Sequence, residues 1–471
     1  MNICFISLLV KQPVNGKIDE HDYEPGYFPP LSLAYLAGYL RKHGHNVKII
    51  DRNLVARRNN FNLERTNNST IRILREFQPD IIGFNAFTTH MYDLRDFSFI
   101  ARSEFPEARI IAGGPHPTAE PDETMGVCPS IDVVFRGESE LALLKFADKT
   151  SLNKIKGITY RKKEKIISNP GCELVPDLDQ IPFPARDLLD MKFYTAPSDA
   201  RYIHGRTTSI ITSRGCPFSC NYCSGHLMFK GVRFNSAEYV IAEIEDIIKR
   251  YDVNMLYFAE DMFLANVPRA KEICNLMIKK KLNKKLRWIA QIRAEYANVE
   301  MIKLMKRAGC IQVEFGFESG SQRVLDLMNK RTKVELYYKA ANITRKAGMR
   351  FQVNIITNYP GETEDDFRKT MALLRRVNPN VVQMNLLFPL PGTKAYADLL
   401  EKGYKLHWAD TTLDDIFCDI PKKRFKEIYN DAQNEIKWKY NWPNYINYHL
   451  LRHPFAMSKA ILKFFYRTIV G

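Results

Sequence analysis

Three of the nine cysteines lie close together, as Cys216, Cys220 and Cys223 in the segment SRGCPFSCNYCSG. Thiolates at a C-x3-C-x2-C spacing suit an iron–sulfur centre, and three of them can bind three irons of a [4Fe–4S] cluster. The fourth iron is then open to a small molecule. A zinc site would need a fourth protein ligand, for which only His226 lies near in sequence. Because three inert cysteines would not account for this Gly- and Pro-containing loop, we predict a cluster.

The elements that must position this loop form a repeating pattern. The apolar segment SIITS runs directly into it, and five similar segments follow: NMLYFAE, LRWIAQI, IQVEFGF, FQVNIIT and VVQMNLL. Helical stretches such as SAEYVIAEIEDIIKRY lie between them. Successive strand–helix units predict a second parallel sheet, closed or half-closed as a barrel. Active-site residues of such a barrel lie at the carboxyl ends of its strands, which is where the cysteines fall.

The cysteine motif, with Tyr222 as its aromatic residue, resembles the C-x3-C-x-aromatic-C motif of the radical S-adenosylmethionine (SAM) superfamily. The resemblance spans about residues 205–400. It implies a [4Fe–4S] cluster whose open iron binds the amino and carboxylate groups of SAM, with Tyr222 in contact with SAM. One electron, from a donor such as flavodoxin or ferredoxin, then cleaves SAM to a 5′-deoxyadenosyl radical that abstracts hydrogen. The protein orients and shields these cofactors.

Residues after the next three strands resemble further SAM-contacting positions of the family. Glu260 and Asp261 follow the second strand, although FAED departs from the usual Gly-Gly-Glu. Arg293 follows the third strand and could pair with a carboxylate, or it is simply a surface arginine. Glu318 and Ser319, in EFGFESGSQRVLDLMNK, resemble the fourth-strand motif. The later stretch NYPGETEDDF fits either the family's fifth-strand motif or an acidic helix start.

The first 150 residues also alternate apolar runs with helical ones. Five runs, NICFISLLV, NVKIID, DIIGFNAF, ARIIAGG and IDVVFRGE, are apolar enough to be strands buried on both faces. They predict a parallel, doubly wound sheet whose ligand lies beyond the carboxyl ends of the strands. Three of these strands are followed by small and polar residues, and glycines there let a large ligand approach the backbone closely.

The order PPLSLAYLAGYLRKHGHNVKIID, PDIIGFNAFTT, ARIIAGGPHPT and VVFRGESE resembles the cobalamin-binding domain that precedes some radical SAM enzymes. This resemblance implies bound cobalamin, with contacts from Asn85, Ala86, Thr88, Thr89, Gly113, Gly114, His116, Gly137 and Glu138. The Asp-x-His-x-x-Gly motif, which supplies a cobalt ligand in other cobalamin proteins, is absent from the sequence. We do not assign His116, in a Pro-flanked turn, as a cobalt ligand. A degenerate domain without cobalamin is the alternative.

The predicted fold class is therefore α/β, with four parts. A doubly wound, Rossmann-like cobalamin-binding domain (1–150) is followed by an exposed hairpin and extended linker (151–204). A partial (β/α)6 radical SAM barrel (205–400) and a helical, basic and aromatic extension (401–471) complete the chain.

The net charge of +16 is concentrated at the end, where residues 421–471 hold ten Lys/Arg and three Asp/Glu. Aromatic residues are interleaved with them: Trp438, Trp442, Tyr445, Tyr448 and Phe464. This extension could cap the barrel, contact a membrane surface or stack on nucleobases. No RNA-binding signature is present, so we do not expect a nucleic-acid partner. With no signal peptide or spanning segment in the sequence, we expect a cytoplasmic protein that contacts a membrane at most peripherally.

The two resemblances together imply an oxygen-sensitive, cobalamin-dependent radical SAM methyltransferase. It would move a methyl group from SAM, via methylcobalamin, to an unactivated carbon of a small-molecule or lipid-like substrate. The same domain pair occurs in the anaerobic oxidative cyclase of magnesium-protoporphyrin ester, so oxidation or cyclisation without methyl transfer is the alternative. A non-catalytic cobalamin or SAM sensor is the third hypothesis, and the intact cysteines argue against it.

Overall fold

The computed structural model describes residues 1–10, 15–18, 28–195, 205–408 and 411–443. Two mainly parallel sheets dominate it. The carboxyl ends of the strands of the first sheet and the residues that follow the first strand of the second sheet border one cleft. The α/β fold class predicted from the sequence is confirmed.

The first sheet has seven strands in the order β2-β1-β3-β4-β5-β6-β7, of which β1 to β5 are parallel. Apolar cores lie on both of its faces, as expected for strands that are apolar throughout. The parallel strands are β1 (Asn2–Ser7), β2 (Asn46–Asp51), β3 (Ile81–Asn85), β4 (Arg109–Gly113) and β5 (Val133–Phe135). The helices are α1 (Leu31–Lys42), α2 (Arg52–Arg58), α3 (Leu63–Phe77), α4 (Met91–Glu104), α5 (Pro115–Ala119), α6 (Pro121–Val127) and α7 (Glu140–Ala147).

The predicted hairpin forms from β6 (Ile158–Lys162) and β7 (Lys165–Ser168). The prediction that it is exposed is wrong for β6, where Ile158, Thr159 and Tyr160 are buried. The reason is that β6 pairs antiparallel with β5 and shares the core of the first sheet. The hairpin therefore extends that sheet.

The second sheet has six parallel strands in the order β15-β14-β13-β12-β11-β8. The two end strands, β8 and β15, are not paired with each other in the described structure, so the barrel is half-closed. All six predicted strands are present, as β8 (Thr207–Ile210), β11 (Met255–Phe258), β12 (Arg287–Ile292), β13 (Cys310–Glu318), β14 (Arg350–Thr357) and β15 (Val381–Leu386). Between β8 and β11, a short antiparallel pair is formed by β9 (Ser213–Arg214) and β10 (Arg233–Phe234).

Helices cover one face of the second sheet and bury an apolar core against it. Side-chain caps define several of their ends, as at α15, where the Thr363 hydroxyl and the Asp366 carboxylate form a capping box. These helices are α10 (Ala237–Arg250), α11 (Val267–Lys279), α12 (Val299–Arg307), α13 (Gln322–Leu327), α14 (Val334–Lys346), α15 (Glu364–Val377) and α17 (Lys422–Ile436). The other helices are α8 (Met191–Tyr194) in the linker, α9 (Gly225–Met228) and α16 (Lys394–Glu401).

The predicted extended linker runs between the two sheets and contacts both. The N–H of Ala185 donates to the carbonyl of Ala34 on α1 (2.9 Å). The Arg186 guanidinium is buried, where it pairs with Glu243 on α10 (2.8 Å) and donates to the carbonyl of Ser209 on β8 (2.9 Å). Removing either partner of such a buried pair leaves an uncompensated charge, so the linker fixes the two sheets relative to each other.

The C-terminal extension was predicted to be helical over 401–471. It is helical in α17 and in a π-helical turn at Lys437–Asn441, whereas residues 402–408 and 411–421 form turns and irregular structure. The Phe425 side chain on α17 is buried in the barrel core, which fits the cap hypothesis for this part. Tyr445, Tyr448 and Phe464 lie outside the described residues. No helix among the described residues is long and apolar enough to cross a bilayer.

Candidate active site

The cysteine loop follows β8 and is closed at its base by the β9–β10 pair. Gly215, one residue before Cys216, has a φ of +87°, and a Cβ there would lie 2.1 Å from the carbonyl oxygen of Gly231. Because no side chain fits at that position, the glycine is required for the two sides of the loop to approach each other.

The far side of the loop is bound to the turn that follows α13. The Asn221 N–H donates to the carbonyl of Met328 (2.9 Å), and its side-chain amide donates to the carbonyl of Leu327 (2.8 Å). In return, the Asn329 amide donates to the carbonyl of Ser219 (2.8 Å). These bonds hold the cysteines next to the end of β13.

The three thiols share a negative environment that suits a cationic group. Burial raises the pKa of the Cys223 thiol to about 11, although the Gly225 N–H donates to its sulfur (3.4 Å). Asp261 and the other two cysteines raise this pKa further. Bound iron would reverse the penalty, because metal coordination deprotonates a thiol. The residues present therefore fit an iron–sulfur cluster.

The zinc alternative finds little support in the geometry. His226 is exposed on α9. Across the described residues, no three His, Cys, Asp or Glu side chains are arranged to hold a single metal ion. A [4Fe–4S] cluster does not require such convergence, since each thiolate binds a different iron.

Tyr222 and Glu318, two predicted SAM contacts, are joined by a lysine. The ammonium of Lys330 donates to the Glu318 carboxylate (2.9 Å) and to the Tyr222 hydroxyl (3.1 Å). Both Lys330 and Glu318 are buried, and Glu318 has a φ of +63° at a bulge in β13. Sequence analysis missed Lys330, although it is the last residue of the segment that resembles the fourth-strand motif.

Glu260 has an unsatisfied buried oxygen. Its Oε2 accepts hydrogen bonds from the hydroxyls of Thr212 (2.6 Å) and Ser213 (2.7 Å). Its Oε1 is buried and has no partner among the described residues. An unpaired buried acceptor is costly, so a donor group of a ligand would be bound favourably here. Asp261 is exposed beside the cysteine loop, with its Oδ2 3.4 Å from where a Cβ on Gly225 would lie.

The other two predicted SAM contacts make bonds within the protein. Arg293 lies over the ring of Phe218 in the cysteine loop (3.6 Å) and donates to Glu295 (2.9 Å). Ser319 is buried, and its hydroxyl accepts from the Ser321 N–H (3.1 Å). In this structure, Arg293 braces the loop and Ser319 stabilises the turn after β13.

A cleft lies between the two sheets, with about 1060 Å³ of space when the part that is open to solvent is included. Its lining is apolar on the side of the first sheet, with Phe5, Leu33, Phe84, Ile111 and Phe135. The predicted cobalamin contacts that line it are Asn85, Gly113, Gly114, Gly137 and Glu138. Two of these glycines have a positive φ, Gly114 at +105° and Gly137 at +71°, and a Cβ on Gly114 would lie 2.3 Å from Asn85 Oδ1. A large ligand with an apolar body fits this cleft, and cobalamin is such a ligand.

The remaining four predicted cobalamin contacts do not line the cleft. Ala86 is buried in the core, and Thr89 is half-buried. His116 is buried with its Nδ1 3.2 Å from the Thr88 hydroxyl and its Nε2 3.4 Å from the Glu123 carboxylate. The imidazole therefore joins two strand-end loops to α6. The role of these four residues in cobalamin binding stays a prediction.

Glu138 is engaged by arginines from the base of the cysteine loop. Its carboxylate pairs with Arg214 (2.5 Å) and with Arg233, and Arg214 also pairs with Glu140 (2.6 Å). Both glutamates are buried. We call these four residues the ionic clamp. It joins a cobalamin loop of the first sheet to the residue two positions before Cys216, and sequence analysis gave no indication of it.

Comparison with known proteins agrees with both halves of this site. The family model of the radical SAM superfamily matches residues 210–374, and that of the B12 binding domain matches residues 25–147. The chain is 33% identical over 417 residues to a Pyrococcus horikoshii protein described as an uncharacterized methyltransferase, with 87% of each chain covered.

Two further proteins are similar over most of this chain. The anaerobic magnesium-protoporphyrin IX monomethyl ester cyclase of Rubrivivax gelatinosus is 27% identical, covering 80% of this chain and 67% of the cyclase. The radical SAM methyltransferase TsrM of Kitasatospora setae, solved with tryptophan substrate and a SAM analogue bound, superposes with a TM-score of 0.67. That match covers 85% of this chain and 76% of TsrM at 16% identity, so it supports a common fold.

Proposed function

Because this chain belongs to the radical SAM superfamily and carries a B12 binding domain, we propose that it is a cobalamin-dependent radical SAM methyltransferase. A methyl group would pass from SAM, through cobalamin, to an unactivated carbon of a small-molecule substrate. The observation that carries the proposal is that both sheets contribute residues to one cleft. The cobalamin loops form one side of it, and Ser213 and Arg214 at the base of the cysteine loop form the other.

When bound, the cluster supplies the electron that cleaves SAM, and cobalamin supplies a methyl carrier. The residues of the chain hold and orient these groups. Cys216, Cys220 and Cys223 bind three irons, and Glu260 offers its unpaired oxygen to a donor group of SAM. The apolar lining of the cleft excludes water, which protects reactive groups from side reactions.

We propose that the predicted site residues have the following roles, which take their contacts in the structure into account. Tyr222, Glu260, Asp261 and Glu318 contact SAM, while Arg293 and Ser319 hold the surrounding loops in place. The cobalamin contacts are the five predicted residues that line the cleft. The Glu138 carboxylate is occupied by the ionic clamp, so this residue contributes its backbone.

The predicted domain boundaries near residues 204 and 400 are part of this proposal, supported by matches to the two family models that fall inside them. Because β6 and β7 extend the first sheet, we place the end of the first domain after β7 and not near residue 150. The electron donor and a peripheral membrane contact through the extension remain predictions from the sequence. The cytoplasmic location also remains a prediction.

The test uses SAM with a deuterated methyl group and protein loaded anaerobically with cluster and cobalamin. We expect the deuterated methyl first on cobalamin and then on a product, together with 5′-deoxyadenosine, by mass spectrometry. An oxidised or ring-closed product without deuterium would instead support the cyclase alternative, which rests on the similarity to the Rubrivivax cyclase. Cleavage of SAM with no deuterium on cobalamin or product would overturn the proposal.

A further inference from the structure

The concave face of the half-barrel is polar over β13 to β15, whereas Met255 and Ile289 on β11 and β12 make it apolar at the other end, where they pack with Phe28. Side chains alternate along a strand, so residues between those packed under the helices face the other way. On β13 to β15, for example, Phe315, Val353 and Met384 belong to the helix-covered core. The polar residues that face the concavity are Tyr257, Gln291, Glu314, Gln352, Asn354, Gln383 and Asn385.

These residues form continuous rows across the strands. Gln291 is the register partner of Glu314, which is in turn the partner of Gln352. The Gln291 amide donates to the Tyr257 hydroxyl (2.7 Å), which donates to the Glu314 carboxylate (3.2 Å). The deepest row is thus a connected hydrogen-bonding surface.

The next row begins at the proposed SAM site. Gly316 is the register partner of Asn354, which is the partner of Gln383. A Cβ on Gly316 would lie 2.4 Å from Glu318 Oε1, so the Glu318 carboxylate covers this glycine on the concave side. A molecule bound along Asn354 and Gln383 would therefore lie beside the residues proposed to contact SAM.

Exposure increases toward the open edge of the sheet. Glu314 and Gln352 are buried, Asn354 is half-buried, and Gln383 and Asn385 are exposed on β15. Carboxamides offer donors and acceptors together and so bind hydroxyls, amides and ring nitrogens. Covering them with an alkyl chain would cost free energy, because their hydrogen bonds to water would not be replaced.

Building on the proposed function, we propose that the substrate is a water-soluble molecule rich in hydrogen-bonding groups, and that Asn354, Gln383 and Asn385 bind it. These three carboxamides determine specificity at the open edge of the concave face, on β14 and β15. The proposal favours the polar small molecule over the lipid-like substrate of the sequence-based expectation.

The test supplies loaded protein and deuterated-methyl SAM with two extracts of the cells that encode this chain, one aqueous and one in chloroform. We expect deuterium in the aqueous products. Asn354→Leu and Gln383→Leu should lower that incorporation at least about tenfold, since each removes a hydrogen-bonding group that the substrate would meet. Iron and cobalt content of both variants, compared with that of the wild type, shows whether each is folded and loaded.

Asn275→Leu is the matched control, because Asn275 is an exposed carboxamide on α11, and this variant should label products as the wild type does. Deuterium in the chloroform products, or unchanged labelling by both concave-face variants, would overturn the proposed substrate class. Deuterium on cobalamin with none in either extract would also count against it. Absence of deuterium from cobalamin itself would instead overturn the methyl-transfer function.

Discussion

The carboxyl ends of the two sheets differ in chemistry, although residues from both, such as Gly113 and Arg214, border one cleft. The first sheet presents apolar side chains and glycines, such as Phe135 and Gly113. The second presents thiols, buried ion pairs such as Lys330–Glu318, and a row of carboxamides. We infer from this difference that the first site selects its ligand by shape and apolar area, and the second site by hydrogen bonds and charge.

The ionic clamp is where these two surfaces meet. Glu138 and Glu140 come from the apolar side, and Arg214 and Arg233 come from the base of the cysteine loop. A change on one side should therefore leave the ligand of the other side bound, unless it breaks the clamp. The following predictions test this independence.

Cys216→Ala should abolish cluster binding while the cleft still binds cobalamin. Loss of one of three thiolates leaves too few ligands for a stable cluster. Iron and cobalt analysis of the anaerobically loaded protein checks this outcome. Cys274→Ala, which removes a thiol buried in the helix-covered core, is the control that should retain iron. Full biological activity of Cys216→Ala would revive the sensor hypothesis.

Arg214→Met should destabilise both sites, because it leaves Glu138 and Glu140 buried without this partner. Removing one member of a buried pair costs about 3–5 kcal/mol. Denaturant unfolding gives the free energy, and cobalamin titration gives the effect on the cleft. Arg41→Met, at the exposed Arg41–Asp187 pair, should cost less than about 1 kcal/mol. Equal effects of the two variants would show that the clamp does not join the sheets.

Gly113→Leu should block the cleft without disturbing the cysteine loop. A Cβ at Gly113 has its nearest neighbour at 3.5 Å, so the backbone tolerates it and the rest of the side chain enters the cleft. Overpacking costs about 1–3 kcal/mol, which corresponds to an increase in the Kd for cobalamin of about 10- to 100-fold. Iron content should be unchanged. Gly126→Ala, where nothing lies within 4 Å, is the control, and wild-type affinity in Gly113→Leu would place cobalamin elsewhere.

Glu362, at the end of β14, should make the barrel sensitive to pH. Burial raises the pKa of its carboxyl from 4.5 to about 7, against hydrogen bonds from the Thr357 hydroxyl and the Asn358 N–H. The folded state thus binds this proton more tightly than the unfolded state does. The contribution of Glu362 to the free energy of unfolding therefore falls as the pH rises from 4.5 to about 7.

Glu362→Gln keeps a hydrogen-bond acceptor but cannot titrate. The decrease of the unfolding free energy with pH, which is at most about 1.4 kcal/mol per pH unit for this group, should therefore be smaller in this variant. Unfolding at several pH values between these limits measures it. Glu335→Gln, at an exposed position on α14, should keep the wild-type slope. A wild-type slope in Glu362→Gln would assign the pH dependence to another group.

The sequence predicted the strands of both sheets because each is a run of apolar residues between clear breaks. The cysteine loop was equally predictable, since its three ligands are adjacent in the chain. The hairpin was harder: Lys and Arg in β6 and β7 suggested exposure, yet pairing with β5 buries Ile158 and Tyr160.

Contacts between distant segments could not be predicted. Glu138 and Arg214 are 76 residues apart, and no local pattern indicates that they pair. His116 occupies a strand-end loop as predicted, but its ring is directed toward Thr88 and Glu123, because the side-chain direction is set by the helical turn of α5. The alternation of apolar and polar residues along the strands of the second sheet did indicate a polar side. Its residues can be assigned only once the helix-covered face is known.

The central claim is that one chain holds both an iron–sulfur cluster that binds SAM and a cobalamin. The most direct measurement is iron, sulfide and cobalt content after anaerobic loading, with electron paramagnetic resonance spectra recorded with and without SAM. The account predicts about four irons and one cobalt per chain, and a cluster signal that SAM alters. Iron without cobalt would contradict the cobalamin half, and folded protein that binds neither metal would contradict the account as a whole.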